Sequence, residues 1–390
     1  MMNKSLHILL LVLFFCAPPA VARKPVSVGL SRNYSSVITN EDTTVSFCYC
    51  GSAKQVYVQT DMLFRGEDST HYNDLRTRKI KMQRQSDGCF HVTTRPVQQE
   101  TYTYCFRING KRKPDPVNKD TAWQMTHKWN IVSVGGTPQA DLYLQPELKG
   151  ELVQTTWYDR NEQLYRRVRI YLPAAYFSPS LEGRVGERFF PVLYLLHGIN
   201  GYEGSWMERG RAIQIMENLV ARDSIQPFIL VMPDCSTDKQ EKPIHHTLGD
   251  NLIHYSQLCH DHSLEPAMEE LMLHIDTTYR VSGYCAIAGL SSGARIAANI
   301  VNRYPGKFHA VGLFSPVIYK AQQPSTASEV TTKYYIYVGK DDFFIHESRR
   351  FNKRLAKQGV PHAYTETIGG HTWRNWRLYL TDFLLQLQQH

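Results

Sequence analysis

Past its first two dozen residues the chain has no apolar run long enough to cross a bilayer. It has no internal repeat and no long low-complexity tract, which argues against solenoids and arrays. Cysteine is sparse. Of the 8 cysteines, Cys16 falls in an N-terminal apolar segment, which leaves Cys48, Cys50, Cys89, Cys105, Cys235, Cys259 and Cys285. An odd number cannot all pair, so no disulfide framework is expected; the bridge considered is Cys89–Cys105. Cys48 and Cys50 lack His or Cys partners at finger-like distances, and Cys285 suits a small buried hydrophobe. His245, His246, His260 and His262 share a long loop, where a metal would need ligands converging from several turns. Neither a metal nor an organic cofactor is therefore expected. The net charge of +8 is mild and spread out. Its densest clusters, Arg76 to Lys81 and Lys111 to Lys113, lack the aromatic interleaving of a nucleic-acid binder and read as solvated loops.

What is present begins with an export signal. Lys4 supplies a positive n-region, Leu6 to Phe15 an apolar core and Ala20-Val21-Ala22 a small-x-small cleavage site. Residues 1–22 are thus expected to be removed, and the mature protein to be periplasmic or extracellular. Phe14 and Phe15 before Cys16 do not match a lipobox.

A 42% apolar content in 390 residues supports two cores. Over residues 25–134 the pattern is all-β. Thr44 to Tyr49, Gln55 to Thr60, Gly88 to Thr93 and Thr101 to Ile108 alternate with period two and are separated by turn residues. The run Tyr102-Thr-Tyr-Cys-Phe-Arg-Ile-Asn-Gly110, followed by Asp115-Pro-Val-Asn118, resembles the hairpin of early-set, immunoglobulin-like domains related to family 48 glycogen-binding modules. No paired-Trp platform for sugar stands out, so packing and positioning is the role expected of this part, with Trp123 to Trp129 turned toward the next domain. Residues 135–149, opening on Gly135-Gly-Thr-Pro138, read as a linker.

From residue 150 to 390 the expectation is an α/β-hydrolase domain: a mainly parallel sheet with helices on both faces. Leu152 to Tyr158 and Leu164 to Leu172 form an antiparallel pair. Val192 to Leu196 is a continuous apolar run, as in a strand buried on both faces. Helices at Met207 to Arg222, Leu264 to Tyr279 and Ser292 to Tyr304 then alternate with strands, and the alternation continues to Leu387. In such sheets chemistry sits beyond the carboxyl ends of the strands.

Gly289-Leu-Ser-Ser-Gly293 lies there, between a short apolar strand and a helix-forming segment. A serine at the tip of a sharp strand-to-helix turn needs tiny neighbours two residues either side, and the turn aims amides at an oxyanion. Ser291 is the nucleophile expected. His371, on the bare Ile368-Gly-Gly-His loop after a strand, is the base. Either Asp341 or Asp342, after the strand Lys333 to Val338, can hold its tautomer in the chain order Ser, Asp, His; Asp342 is favoured. The amides of Ile199 and Ser292 are the expected oxyanion donors, and His197 a brace for its loop.

Together, Pro191-Val-Leu-Tyr-Leu-Leu-His-Gly198, Ser205-Trp206, Ala288-Gly-Leu-Ser-Ser-Gly293, Gly339-x-x-Asp342-Phe343 and Gly369-Gly-His-Thr-Trp-x-x-Trp-Arg377 resemble the esterase-D-like carbohydrate esterase family 1, which includes feruloyl and acetylxylan esterases. Ser292 and Ala294 depart from the Met and Gly usual there. The resemblance implies an acylated carbohydrate or aryl ester as substrate, with Trp206 and Trp373 as substrate contacts. It also leaves a siderophore esterase, or a carbohydrate-binding protein with an inactive esterase domain, as alternatives.

Overall fold

The computed structural model describes residues 35–69, 72, 76–124, 127–147, 149–161, 163–177, 189–235, 264–318 and 332–389. The expected export signal, Cys16, Cys259 and the four loop histidines lie outside these residues.

Residues 37–133 form two facing antiparallel sheets. Their strands are Val37–Thr39 (β1), Val45–Tyr49 (β2), Val56–Thr60 (β3), Arg78–Lys81 (β4), Gln83–Arg84 (β5), Phe90–Thr93 (β6), Thr101–Ile108 (β7), Lys111–Lys113 (β8), Thr121–Gln124 (β9) and His127–Ser133 (β10). One sheet runs β1-β2-β6-β5; the other runs β4-β3-β7-β10-β9, with β8 on β7. Inward residues of β2 and β7 meet between the sheets, Phe47 edge-on to Tyr104 with centroids 4.9 Å apart. The two basic clusters are not loops: they contain β4 and β8, strands whose lysines point outward.

The Tyr104, Asp115 and Asn118 of the hairpin motif form a buried polar lock. Tyr104 donates to Asp115 at 2.7 Å, Asn118 donates to the Ile131 carbonyl, and the Asn130 amide side chain donates to the carbonyls of Asp115 and Asn118. This pins the loop after β8 against β7 and β10.

The bridge is Cys50–Cys89, joining the residue just after β2 to the one just before β6, and not Cys89–Cys105. Cys105 is fully buried with a free thiol, because its side chain on β7 faces away from the sheet that carries Cys89.

A mixed eight-stranded sheet follows: Glu151–Asp159 (β11), Leu164–Leu172 (β12), Phe190–Leu196 (β13), Ile229–Pro233 (β14), Val281–Leu290 (β15), Ala310–Phe314 (β16), Lys333–Gly339 (β17) and His362–Thr367 (β18). Its order is β11-β12-β14-β13-β15-β16-β17-β18, antiparallel at β11 and β12 and parallel thereafter. The apolar run in β13 splits by strand periodicity: Val192, Tyr194 and Leu196 enter one core, Leu193 and Leu195 the other. Helices Ser205–Glu208 (α1), Ala212–Ala221 (α2), Leu264–Thr278 (α3), Ser292–Arg303 (α4), Ile345–Gln358 (α5) and Trp373–Gln386 (α6) complete the domain. The helix expected over Met207 to Arg222 is broken. Arg211 adopts φ 55° there, its guanidinium bonded to both Asp120 oxygens at 2.9 and 2.8 Å.

That pair is one of several ties between the β-sandwich and the larger sheet. Glu100 accepts from Arg377 of α6 at 3.0 Å and lies 3.6 Å from Arg374, with Glu100 and Arg377 both buried. The Trp123 amide donates to Glu208 at 3.2 Å with its side chain exposed, and Trp129 is buried outside the sandwich core, on the face of β10 that also carries Ile131 and the Ser133 bonded by Arg211. Residues 135–149 are not a loose tether: they hold a one-turn helix, Ala140–Tyr143, whose carbonyls and that of Leu144 accept from Asn218 of α2.

Candidate active site

Ser291 sits between β15 and α4 with φ 55° and ψ −119°, a conformation few non-glycine residues adopt. Both neighbouring glycines are forced by contact. A Cβ on Gly289 would lie 2.3 Å from the Gly293 carbonyl oxygen, and one on Gly293 would lie 2.4 Å from that of His197. The elbow is also tied sideways, since the Ser291 amide donates to the Phe314 carbonyl at the end of β16.

The loop after β13 lies against the same turn. A Cβ on Gly198 would be 3.2 Å from the Ser291 Cβ, so Ile199 and Ser292 belong to the two segments that flank the serine. His197 braces this loop. Its Nε2 accepts from the Cys235 amide at 2.8 Å, which leaves Nδ1 to donate to the Gly198 carbonyl at 2.8 Å. The imidazole is thereby assigned a neutral tautomer with both nitrogens occupied.

His371 approaches from the loop between β18 and α6. Gly339 and Gly369 meet backbone to backbone, since a Cβ on Gly339 would be 2.1 Å from the Gly369 oxygen. The Asp341 amide closes that junction by donating to Gly369 at 3.0 Å. Asp342 turns inward from it and is buried, while Asp341 stays exposed. The Nδ1 of His371 lies 3.0 and 3.2 Å from the two Asp342 oxygens. Burial pushes the Asp342 carboxyl up, but the hydrogen bond and charge of His371, with further bonds from Ser315 and the Phe344 amide, outweigh it and hold the group below its ordinary value.

Ser315 has no part in the expected constellation, yet it stands at the end of β16 with φ 51° and bonds both Asp342 and the Trp376 indole, which donates to it at 3.1 Å. The only signal for it in the sequence is a serine just past a buried strand. The Ser291 hydroxyl makes no hydrogen bond among the described residues, so the Ser291–His371 contact of a triad is open in this structure. Such contacts commonly tighten only when substrate is bound.

Of the two tryptophans expected at the substrate, Trp206 is enclosed and Trp373 borders only a small cavity that it shares with Thr103, Ile131 and Arg377. Trp206 is 1% exposed and its indole donates to the Leu196 carbonyl at 2.9 Å. Trp373 is also buried, edge-on to both Trp206 and Trp376. They are core side chains because α1 and α6 pack over the end of the sheet. The aromatics around His371 are instead Phe343, Phe344 and Trp376, with ring centroids 4.4, 5.5 and 4.9 Å away.

A hydroxyl on a strained elbow, a carboxylate-held imidazole and amides on two flanking segments can together perform acyl transfer. The family model described as "Putative esterase" matches residues 163–387. The chain belongs to that family. This esterase is 29% identical over 194 residues to an endo-1,4-beta-xylanase/feruloyl esterase of Xylanibacter ruminicola, a match covering 50% of this chain and 25% of that protein. It is 36% identical over 50 residues to an acetyl esterase of Caldicellulosiruptor saccharolyticus, covering 13% of this chain and 19% of that one. The matches thus span a quarter or less of each curated relative. Among solved structures, the enterobactin esterase of Shigella flexneri superposes with a TM-score of 0.53 at 16% identity, over 89% of this chain and 93% of that one. That likeness is one of fold and extends over the sandwich as well as the larger sheet.

Proposed function

We propose that this protein is an exported serine esterase that removes feruloyl or acetyl groups from plant cell-wall polysaccharide, xylan foremost. The observation that carries the reading is the Asp342–His371 pair, with an Nδ1 to carboxylate distance of 3.0 Å, beside a strained Ser291 whose amide is tied to Phe314, the residue before the Ser315 that bonds Asp342. In the reaction, Ser291 attacks the ester carbonyl as His371 takes its proton, and Asp342 steadies the imidazolium. The amides of Ile199 and Ser292 hold the oxyanion. His371 then protonates the departing alcohol, and water cleaves the acyl-enzyme by the same route. The chemistry of these groups needs neither metal nor organic cofactor.

The substrate class rests on the feruloyl and acetyl esterases among the relatives. Export rests on the leader pattern and fits the Cys50–Cys89 bridge, since such bonds persist in oxidising compartments. The sandwich is read as an early-set, immunoglobulin-like domain over residues 25–134 that packs against and positions the hydrolase domain of residues 150–390. A second reading, hydrolysis of a siderophore ester, is favoured by the fold likeness that takes in both parts of the chain. Purified protein assayed side by side on methyl ferulate, acetylated xylan and an enterobactin-type triester decides between them. Turnover confined to the triester would overturn the first reading, and turnover of none of the three, with retained xylan binding, would revive an inactive, sugar-binding esterase domain.

A further inference from the structure

The three aromatic rings around His371 are not equivalent. Trp376 is buried and hydrogen-bonded to Ser315, and Phe344 is half-buried beside it. Phe343 is 65% exposed, although its ring centroid is only 4.4 Å from that of His371, at an interplanar angle of 38°. It is tilted 60° against the Phe344 ring, with centroids 4.5 Å apart. One face is thus held by protein while the rest of the ring meets water. The fold gains little from this side chain, because most of the apolar area that would stabilise it stays wet. An exposed aromatic fixed at a reacting centre is a surface available to substrate.

Chemistry decides which part of a substrate reaches it. His371 hands its proton to the leaving oxygen, which must come within about 3 Å of the imidazole. Whatever that oxygen carries then lies beside the ring tilted against the imidazole, whereas the acyl group extends from Ser291 on the other side of the scissile bond. Resting on the esterase reading above, we propose that Phe343 is a specificity-determining residue for the alcohol half of the ester, its open face receiving the C–H face of the sugar ring that departs. This assigns the polysaccharide, and not the acyl group, to the ring beside the base.

The test uses pairs of esters that share an acyl group and so share the second half-reaction. Methyl ferulate is compared with feruloyl-arabinose, and ethyl acetate with acetylated xylobiose, by kcat/KM for the native protein, Phe343→Ala, Phe343→Tyr and Ser291→Ala. Phe343→Ala should lose about tenfold on each sugar ester, equivalent to ~1.4 kcal/mol. It should lose less than about threefold on the simple alkyl partner, and Phe343→Tyr should restore most of the difference. Equal losses on both members of a pair would mean the ring only steadies His371, and would overturn the proposal, as would no loss on either. Poor folding of Phe343→Ala leaves the ratio for Phe343→Tyr and the binding of the intact sugar ester to Ser291→Ala as readouts; absence of a sugar-dependent gain in that binding also counts against it. Full turnover by Ser291→Ala would instead remove the underlying reading of the site, and so would a native protein that cleaves neither pair.

Discussion

Replacing Glu100 with glutamine keeps the side chain's shape and removes one charge from the seam between sandwich and hydrolase domain. In the native protein that carboxylate is 7% exposed, accepts from the Thr101 amide at 2.8 Å and faces Arg377, itself 4% exposed. Arg377 also donates to the carbonyls of Arg209 and Thr101, so it cannot swing to water without breaking three bonds. Removing one partner of a buried pair strands the other and costs about 3–5 kcal/mol. Residues Ser35–His390 form a single compact unit. With about 2.1 cal/mol/K of unfolding entropy per residue, the loss corresponds to a fall in Tm of roughly 4–7 °C. Scanning calorimetry of Glu100→Gln, Arg377→Met and the double variant measures it, and the double variant should lose clearly less than the sum of the singles. A fall below about 1 °C, or strict additivity, would show that the seam does not depend on this pair.

Ser291→Ala and His371→Ala should each lower kcat by on the order of 10⁴-fold, with the double variant scarcely worse, because such groups act as a unit; multiplied losses in steady-state kinetics would refute the assignment. Asp342→Asn should cost on the order of 10³- to 10⁴-fold and Asp341→Asn little, a contrast that a reversed pair of phenotypes would overturn. Since the Asp342 carboxyl is held below its ordinary value, its contribution to stability is complete above about pH 4 and disappears as pH falls through the depressed value. The stability gap between native protein and Asp342→Asn should therefore narrow on acid titration, and a gap that widened would contradict the sign. Gly293→Ala would drive a methyl into the His197 carbonyl, so soluble yield or activity should collapse, whereas Gly306→Ala, with no atom within 4 Å of the new Cβ but φ 80°, should retain activity at a cost of about 1–2 kcal/mol of stability.

The parts of the fold that bury apolar side chains were legible in the sequence. The strand at Val192 to Leu196, the helix after Ser292 and the Gly-rich turns around Ser291 and His371 each carry a local pattern that the structure repeats at nearly the same residues. Strands such as Arg78–Lys81, Gln83–Arg84 and Lys111–Lys113 lie at sheet margins and expose most side chains, so they leave no apolar alternation to read. Trp206 and Trp373 show the opposite failure. The family resemblance put both at the substrate, but whether a ring is covered depends on α1 and α6 packing over the sheet end, which no local spacing encodes. Ser315 and Glu100 act through partners 27 and 277 residues away in the chain, a relation visible only in three dimensions.

The bridge between Cys50 and Cys89 has a neighbour that affects how it is made. The free Cys48 sulfur lies 3.6 Å from that of Cys50 and 3.8 Å from Nε2 of His91. Three sulfurs therefore crowd one corner of the sandwich while only two can join, and Cys48 competes for oxidation whenever the chain emerges reduced. Thiolate attack by Cys48 on Cys50 would expel Cys89 and trap the wrong partner in a short C-x-C ring, and the reverse attack would release it. Oxidative refolding should then show a slow, isomerase-sensitive phase that Cys48→Ser abolishes, while peptide mapping finds Cys50–Cys89 in both end products. An unchanged phase in Cys48→Ser would assign the delay elsewhere.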